Sequence, residues 1–118
     1  MDKNQELCRL LGLPWHEHVS QKFMDDLNYS TCSCGNSFPS IVSLYNHLKH
    51  KNPDYTSDAG KVQLLREMRK RKDWVMFIGK ICSTYRIGRE YVLYILDDYI
   101  LNTTGKLGDV VIEWLRRR

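Results

Sequence analysis

Residues 32–50 read CSCGNSFPSIVSLYNHLKH and place Cys32, Cys34, His47 and His50 within nineteen positions. Thiolates and imidazoles bind borderline-soft divalent metals, and two of each complete a tetrahedral ligand set. The spacing between the two pairs is regular. Three residues separate Cys34 from Phe38, five separate Phe38 from Leu44, and two separate Leu44 from His47. An aromatic and a leucine so placed form a small core between a turn and a helix, and the i, i+3 spacing of the histidines sets both imidazoles on one side of that helix. The spacing therefore predicts a closed site for Zn2+ held by Cys32, Cys34, His47 and His50. The WHEH run supplies a variant, in which His16 or His18 lends a ligand if Cys32 or His50 points away.

The stretch resembles the second half of a C2H2 zinc finger over roughly residues 30–51, in the run Cys34, Phe38, Leu44, His47. It departs from that family at both ligand pairs. One residue separates Cys32 from Cys34 where the family has two to four, and two separate His47 from His50 where it has three to five. The resemblance implies a short hairpin followed by a helix, with the base-contacting positions falling on Ser40, Ser43 and Asn46. None of these is the Arg or Lys that most often reads guanine, and Ile41 and Val42 lie among them. The finger accordingly reads as a structural staple or protein contact rather than a sequence reader.

Outward from this stretch the chain is predicted to be mainly α. Residues 3–11 carry Leu7, Cys8, Leu10 and Leu11 on one helical face, ended by Gly12 and Pro14. Trp15, Val19, Phe23 and Leu27 recur at intervals of four and predict a second helix or helical turn. Pro53 and Gly60 mark a loop with Thr56, Ser57 and Asp58 as helix caps. From Lys61 onward the periodicity is helical. Its stripes run through Trp74, Phe77, Ile78, Ile81 and Tyr85, then Tyr91, Val92, Ile95, Leu96 and Tyr99, then Leu107, Val110, Val111, Trp114 and Leu115. Gly88 and the run Asn102–Gly105 break them. The predicted core of this region is Trp74, Phe77, Ile81, Ile95, Leu96, Val111 and Trp114. The organisation expected is residues 1–55, helices plus finger, and residues 56–118, all helical, the two forming either separate regions or one compact domain.

Composition narrows the function classes. The 118 residues are 42% hydrophobic and 27% charged, an ordinary balance for a folded chain. No apolar run approaches the roughly 20 residues of a membrane span, and the N-terminal residues lack the apolar core of a secretion signal. A cytoplasmic protein is expected, in which four cysteines suggest metal and free thiols rather than disulfides. Cys8 and Cys82, in apolar helical patterns, are expected to be buried thiols. No Gly-rich phosphate loop, GxSxG elbow or HExxH pair occurs. Glu17 and the Asp25–Asp26 pair are carboxylates that nothing in the sequence sets beside the metal. A four-ligand site also lacks the open position that catalytic zinc keeps. The chain is not expected to be an enzyme.

Charge points elsewhere. Residues 1–60 hold five Lys/Arg against seven Asp/Glu, and residues 61–118 hold thirteen against seven. Arg66, Arg69, Lys70, Arg71 and Lys72, joined by Arg116 to Arg118, offer phosphate contacts that would give affinity for DNA or RNA without sequence choice. An exposed, solvated helix face is the competing reading. Tyr85, Tyr91, Tyr94 and Tyr99 are either stacking platforms or core residues. Finally, LLGLPWHEH, CSCGNSF, NHLKHKNPDYTS and LLREMRKRKDWVMFIGK are together similar to small proteins of tailed bacteriophages, over residues 7–80. That resemblance implies an accessory protein made in a bacterial cytoplasm, of a kind that often works by occupying the surface of a host protein; the partner expected here is a host protein or the chain itself. The expected function is thus a non-enzymatic, zinc-stapled binder of a protein partner, with nucleic-acid binding through residues 66–72 as the alternative.

Overall fold

The computed structural model describes residues 2–24, 27–101 and 105–117. Among them are six α-helices and a three-stranded antiparallel sheet in the order β1-β2-β3. The mainly helical class expected from the sequence holds. Helix α1 spans Lys3–Leu11, and the strands are β1 His18–Met24, β2 Leu27–Cys32 and β3 Ser37–Phe38. Helix α2 spans Ile41–Lys51, α3 Asp58–Arg69 and α4 Trp74–Tyr85. A 3₁₀ turn at Arg89–Tyr91 leads into α5, Val92–Leu101, and α6 spans Lys106–Arg116.

The helix predicted over residues 15–27 is instead strand β1, paired with β2 from Met24↔Leu27 down to His18↔Cys32. The reason lies in the interval itself. A repeat of four is also a multiple of the strand's period of two, so the spacing alone fits a strand as well as a helix. Val19 is exposed, as suits one side of a solvated antiparallel sheet. Asp25 and Asp26 lie outside the described residues.

Two compact units result, Gly12–Pro53 and a second made of Met1–Leu11 with Asp54–Arg118. Helix α1, grouped with the finger on sequence position, packs in the second unit against α6. Lys3 Nζ lies 2.7 Å from Asp109, and Glu6 sits between Arg9 at 2.6 Å and Arg116 at 3.5 Å. The core of that unit is Leu7, Leu64, Met68, Phe77, Ile81, Leu96, Leu107, Val111 and Trp114, all buried, while Trp74 and Ile95 are half-buried. Cys8 and Cys82 are buried free thiols, Cys8 Sγ lying 3.9 Å from the hydroxyl of buried Tyr55.

Helix starts follow local chemistry. The Ser57 hydroxyl accepts from the Gly60 N–H at 3.0 Å and caps α3. Gly60 itself is demanded by a close approach, since a Cβ there would fall 1.7 Å from the Asp54 carbonyl oxygen. Ser40 caps α2 in the same way, accepting from Ser43 N at 3.2 Å. No helix among the described residues is long and apolar enough to cross a membrane.

Candidate metal centre

The loop from β2 to β3 is a tight knuckle. Gly35 donates its N–H to the Cys32 carbonyl at 2.9 Å, and Cys32 N–H is returned to the Asn36 carbonyl at 2.9 Å. Gly35 has φ +96°, a left-handed conformation that costs other residues, and it lets the chain reverse with Cys32 and Cys34 on the same side. Leu44, completely buried, anchors α2 in its unit, and half-buried Phe38 lies 4.7 Å from the His47 ring, centre to centre. The aromatic and the leucine of the motif thus hold the helix that carries His47.

Four side chains converge here. One donor atom each from His16, Cys32, Cys34 and His47 lies within 4.8 Å of all the others, so this cluster could hold a metal ion. Cys32 Sγ is 3.5 Å from His16 Nδ1, and Cys34 Sγ is 3.5 Å from His47 Nε2. The two imidazoles meet edge to face at 5.1 Å. Cys32 is buried, the histidines are half-buried and Cys34 is exposed.

The structure brings Cys32, Cys34 and His47 together and leaves His50 outside the cluster, exposed on the last turn of α2. His16 takes the fourth place. A rotation of about 100° per residue carries position i+3 some 60° off the line of i, and one turn further along the axis. A group on the sheet side can therefore stand closer to His47 than His50 does. The pairing of β1 with β2 supplies that group. His18 is the register partner of Cys32, and Ser33 N–H donates to the Glu17 carbonyl at 2.8 Å, which brings the chain just before β1 alongside the knuckle. His18 is exposed with its Nε2 3.1 Å from the Ser20 carbonyl, and it takes no part.

Two residues that are not among the donors hold the His16 segment in place. Asn52, the C-cap of α2, accepts the His16 N–H at 2.8 Å and donates its amide to the His16 carbonyl at 2.7 Å. Ser33 clasps the neighbours, its hydroxyl donating to the Trp15 carbonyl at 3.1 Å and accepting the Glu17 N–H at 3.0 Å. Such pairing is invisible in a spacing rule. An Asn one residue past a helix end looks like an ordinary terminator.

The electrostatics suit metal binding. Burial raises the Cys32 thiol, but hydrogen bonds from Cys34, Ser33 and Glu17 outweigh it and bring the thiol below its ordinary value. Partial burial, then the positive charges of His16 and Lys51, lower His47 and favour the neutral imidazole. A thiol inclined to ionise and an imidazole inclined to stay neutral are the forms a metal requires.

The basic stretch is divided in its duties. Lys70 pairs with Glu67 at 3.0 Å, and Arg71 pairs with Asp73 at 2.9 Å. Arg66, Arg69 and Lys72 are exposed, and among the described residues no ion pair engages them. Among Tyr85, Tyr91, Tyr94 and Tyr99, Tyr99 is buried with its hydroxyl 2.5 Å from that of Tyr85, whereas Tyr91 and Tyr94 are exposed. Arg116 and Arg117 lie at the end of α6, each beside a carboxylate, and Arg118 lies outside the described residues. Compared with protein-family models, curated proteins and solved structures, the chain finds no match in any of the three.

Proposed function

We propose that the chain is a non-enzymatic binding protein whose Gly12–Pro53 unit is stapled by a structural zinc ion on His16, Cys32, Cys34 and His47, and that it acts by contacting a protein partner. The observation that carries the zinc reading is the match of donor type and separation. Tetrahedral zinc with Zn–S near 2.3 Å and Zn–N near 2.0 Å needs S···N edges of about 3.5 Å; the Cys32–His16 and Cys34–His47 pairs stand at 3.5 Å, and all four donors lie within 4.8 Å of one another. Four protein donors fill a tetrahedral ion, which supports a structural rather than a catalytic role.

The exposed face of α2 favours a protein partner. Val42 and Tyr45 are 65% and 59% exposed, where a groove-reading helix would carry polar or basic side chains. The nucleic-acid alternative is weakened because two of its five cations are already paired. The resemblance to small tailed-phage proteins supports an accessory role in a bacterial cytoplasm.

Elemental analysis of protein purified without chelator tests the metal. One zinc per chain is expected in the parent and in His50→Ala, and a loss in His16→Ala. Retention by His16→Ala with loss in His50→Ala would restore the motif-based ligand set, and a metal-free parent would sink the proposal. For the partner, the chain and its Val42→Glu/Tyr45→Glu variant serve as paired baits. Identical captured proteins on both would exclude α2 as the contact.

A further inference from the structure

In the helical unit, α3 and α5 wall an open groove of about 500 Å³ whose floor includes Trp74 and Ile78 of α4. Each wall is one helical face read at i, i+3, i+4 and i+7. On α3 it is Val62, Leu65, Arg66 and Arg69, and on α5 it is Leu93, Leu96, Asp97 and Ile100. Leu93 is 66% exposed and Val62 38%, so the groove presents apolar surface to water. One wall is cationic and the other anionic. Arg66, Arg69 and Asp97 are all exposed, and among the described residues no ion pair joins the two walls.

We propose that this groove is a self-complementary interface, and that its occupant is a second copy of the same chain. The argument is one of symmetry and charge. A two-fold axis running along the groove sets α3 of each copy over α5 of the other. Arg66 and Arg69 then face Asp97 twice, with Val62, Leu65 and Leu93 closing between them. An axis across the groove would bring the arginines of both copies together, which like-charge repulsion disfavours. Charge therefore selects one arrangement out of the two. The charge that complements each wall is thus carried by the other wall of the same groove.

This inference rests on the reading of the chain as a partner-binding protein and names one partner for it. It uses neither the metal cluster nor Val42 and Tyr45 of α2, so the two readings fail separately. The test is sedimentation of the full-length, metal-replete chain across a concentration series, with metal content measured on the same samples. The parent is expected to reach twice its 14.0 kDa chain mass. Arg66→Glu/Arg69→Glu and Asp97→Arg each place like charges across the interface, and each should weaken self-association at least about tenfold. Their helical circular dichroism should stay unchanged, because all three positions are exposed. Mixed in equal amounts, the two variants should recover the double mass, since each now carries the charge the other lacks. A parent that stays monomeric at every concentration overturns the proposal. So does a dimer that either variant retains, or a pair of monomeric variants that mixing fails to rescue. Capture of another protein's amphipathic helix by a monomeric parent would assign the groove to that partner instead.

Discussion

Asn52 shows how much of a metal centre lies outside its donor atoms. Its side chain closes a two-way clasp on the His16 backbone, accepting at 2.8 Å and donating at 2.7 Å, and so converts the end of α2 into a positioner for a residue 36 places earlier. Partners that orient ligands typically alter metal affinity by about 10–100-fold when removed. Asn52→Ala should accordingly weaken zinc affinity by about tenfold or more in a competition with a chromophoric chelator. Asn46→Ala, on an exposed part of the same helix, should leave it unchanged. Equal affinity in both variants would show that His16 is held by Ser33 alone, or that it is not a ligand. From the sequence, Cys32, Cys34 and His47 could be nominated because their spacing is the spacing of a turn and a helix. His16 could appear only as a variant, because its place is set by strand pairing.

Among the elements, the turn from α3 to α4 is tied to α6 through one carboxylate. Asp73, just ahead of α4, accepts from Arg71 Nε at 2.9 Å and from the Trp114 indole N–H at 3.1 Å. The Arg71 hydrogen bond, reinforced by that of Trp114, outweighs burial and holds the Asp73 carboxyl below the usual carboxylate range. A carboxyl whose folded pKa is depressed binds protons less readily folded than unfolded. Its contribution is therefore complete above about pH 4 and is lost as pH falls through the lower folded value. Asp73→Ala should cost about 2 kcal/mol in urea unfolding at neutral pH. The gap from the parent should narrow as the pH drops below about 4, where the unfolded carboxyl takes up its proton, and close below the lower folded value, where the folded carboxylate is protonated too. A gap independent of pH would assign the loss to packing rather than to the ionised pair. Arg71 was offered by the sequence as a phosphate contact, and the structure gives it this structural task as well. A run of cations in a sequence carries no record of which ones have found carboxylates.

For the whole molecule, the division into two units predicts two separable responses. A chelator, on the zinc reading, should remove amide protection from β1, β2, β3 and α2 while leaving it in the Leu7–Leu64–Phe77–Val111 core. The five helices of the larger unit dominate the helical signal, so circular dichroism should fall only modestly. Acid should act in the same direction on the smaller unit. His47 is held below its ordinary value, so its contribution is present above about pH 6.5 and declines as the pH falls, and protons compete with the metal for the thiolates as well. Hydrogen exchange followed by NMR reads both responses. Simultaneous loss of protection throughout the chain on chelation would show that the two units are one cooperative fold.

The sequence by itself determined the helical class, the stripes of the larger core and three of the four clustered donors. The first two depend on neighbours within a turn or two, where the helical period converts spacing directly into position, and the donors depend on one tight turn followed by one helix. It did not separate β1 from a helix, because an interval of four satisfies both periods. Nor did it separate α1 from the segment that follows it. Helix α1 packs on α6 through Lys3–Asp109 and Glu6–Arg116, contacts between residues more than a hundred positions apart. Only tertiary structure decided these points and the place of His16. Strand register, helix docking and the Asn52 clasp join residues across distances over which local periodicity carries no information.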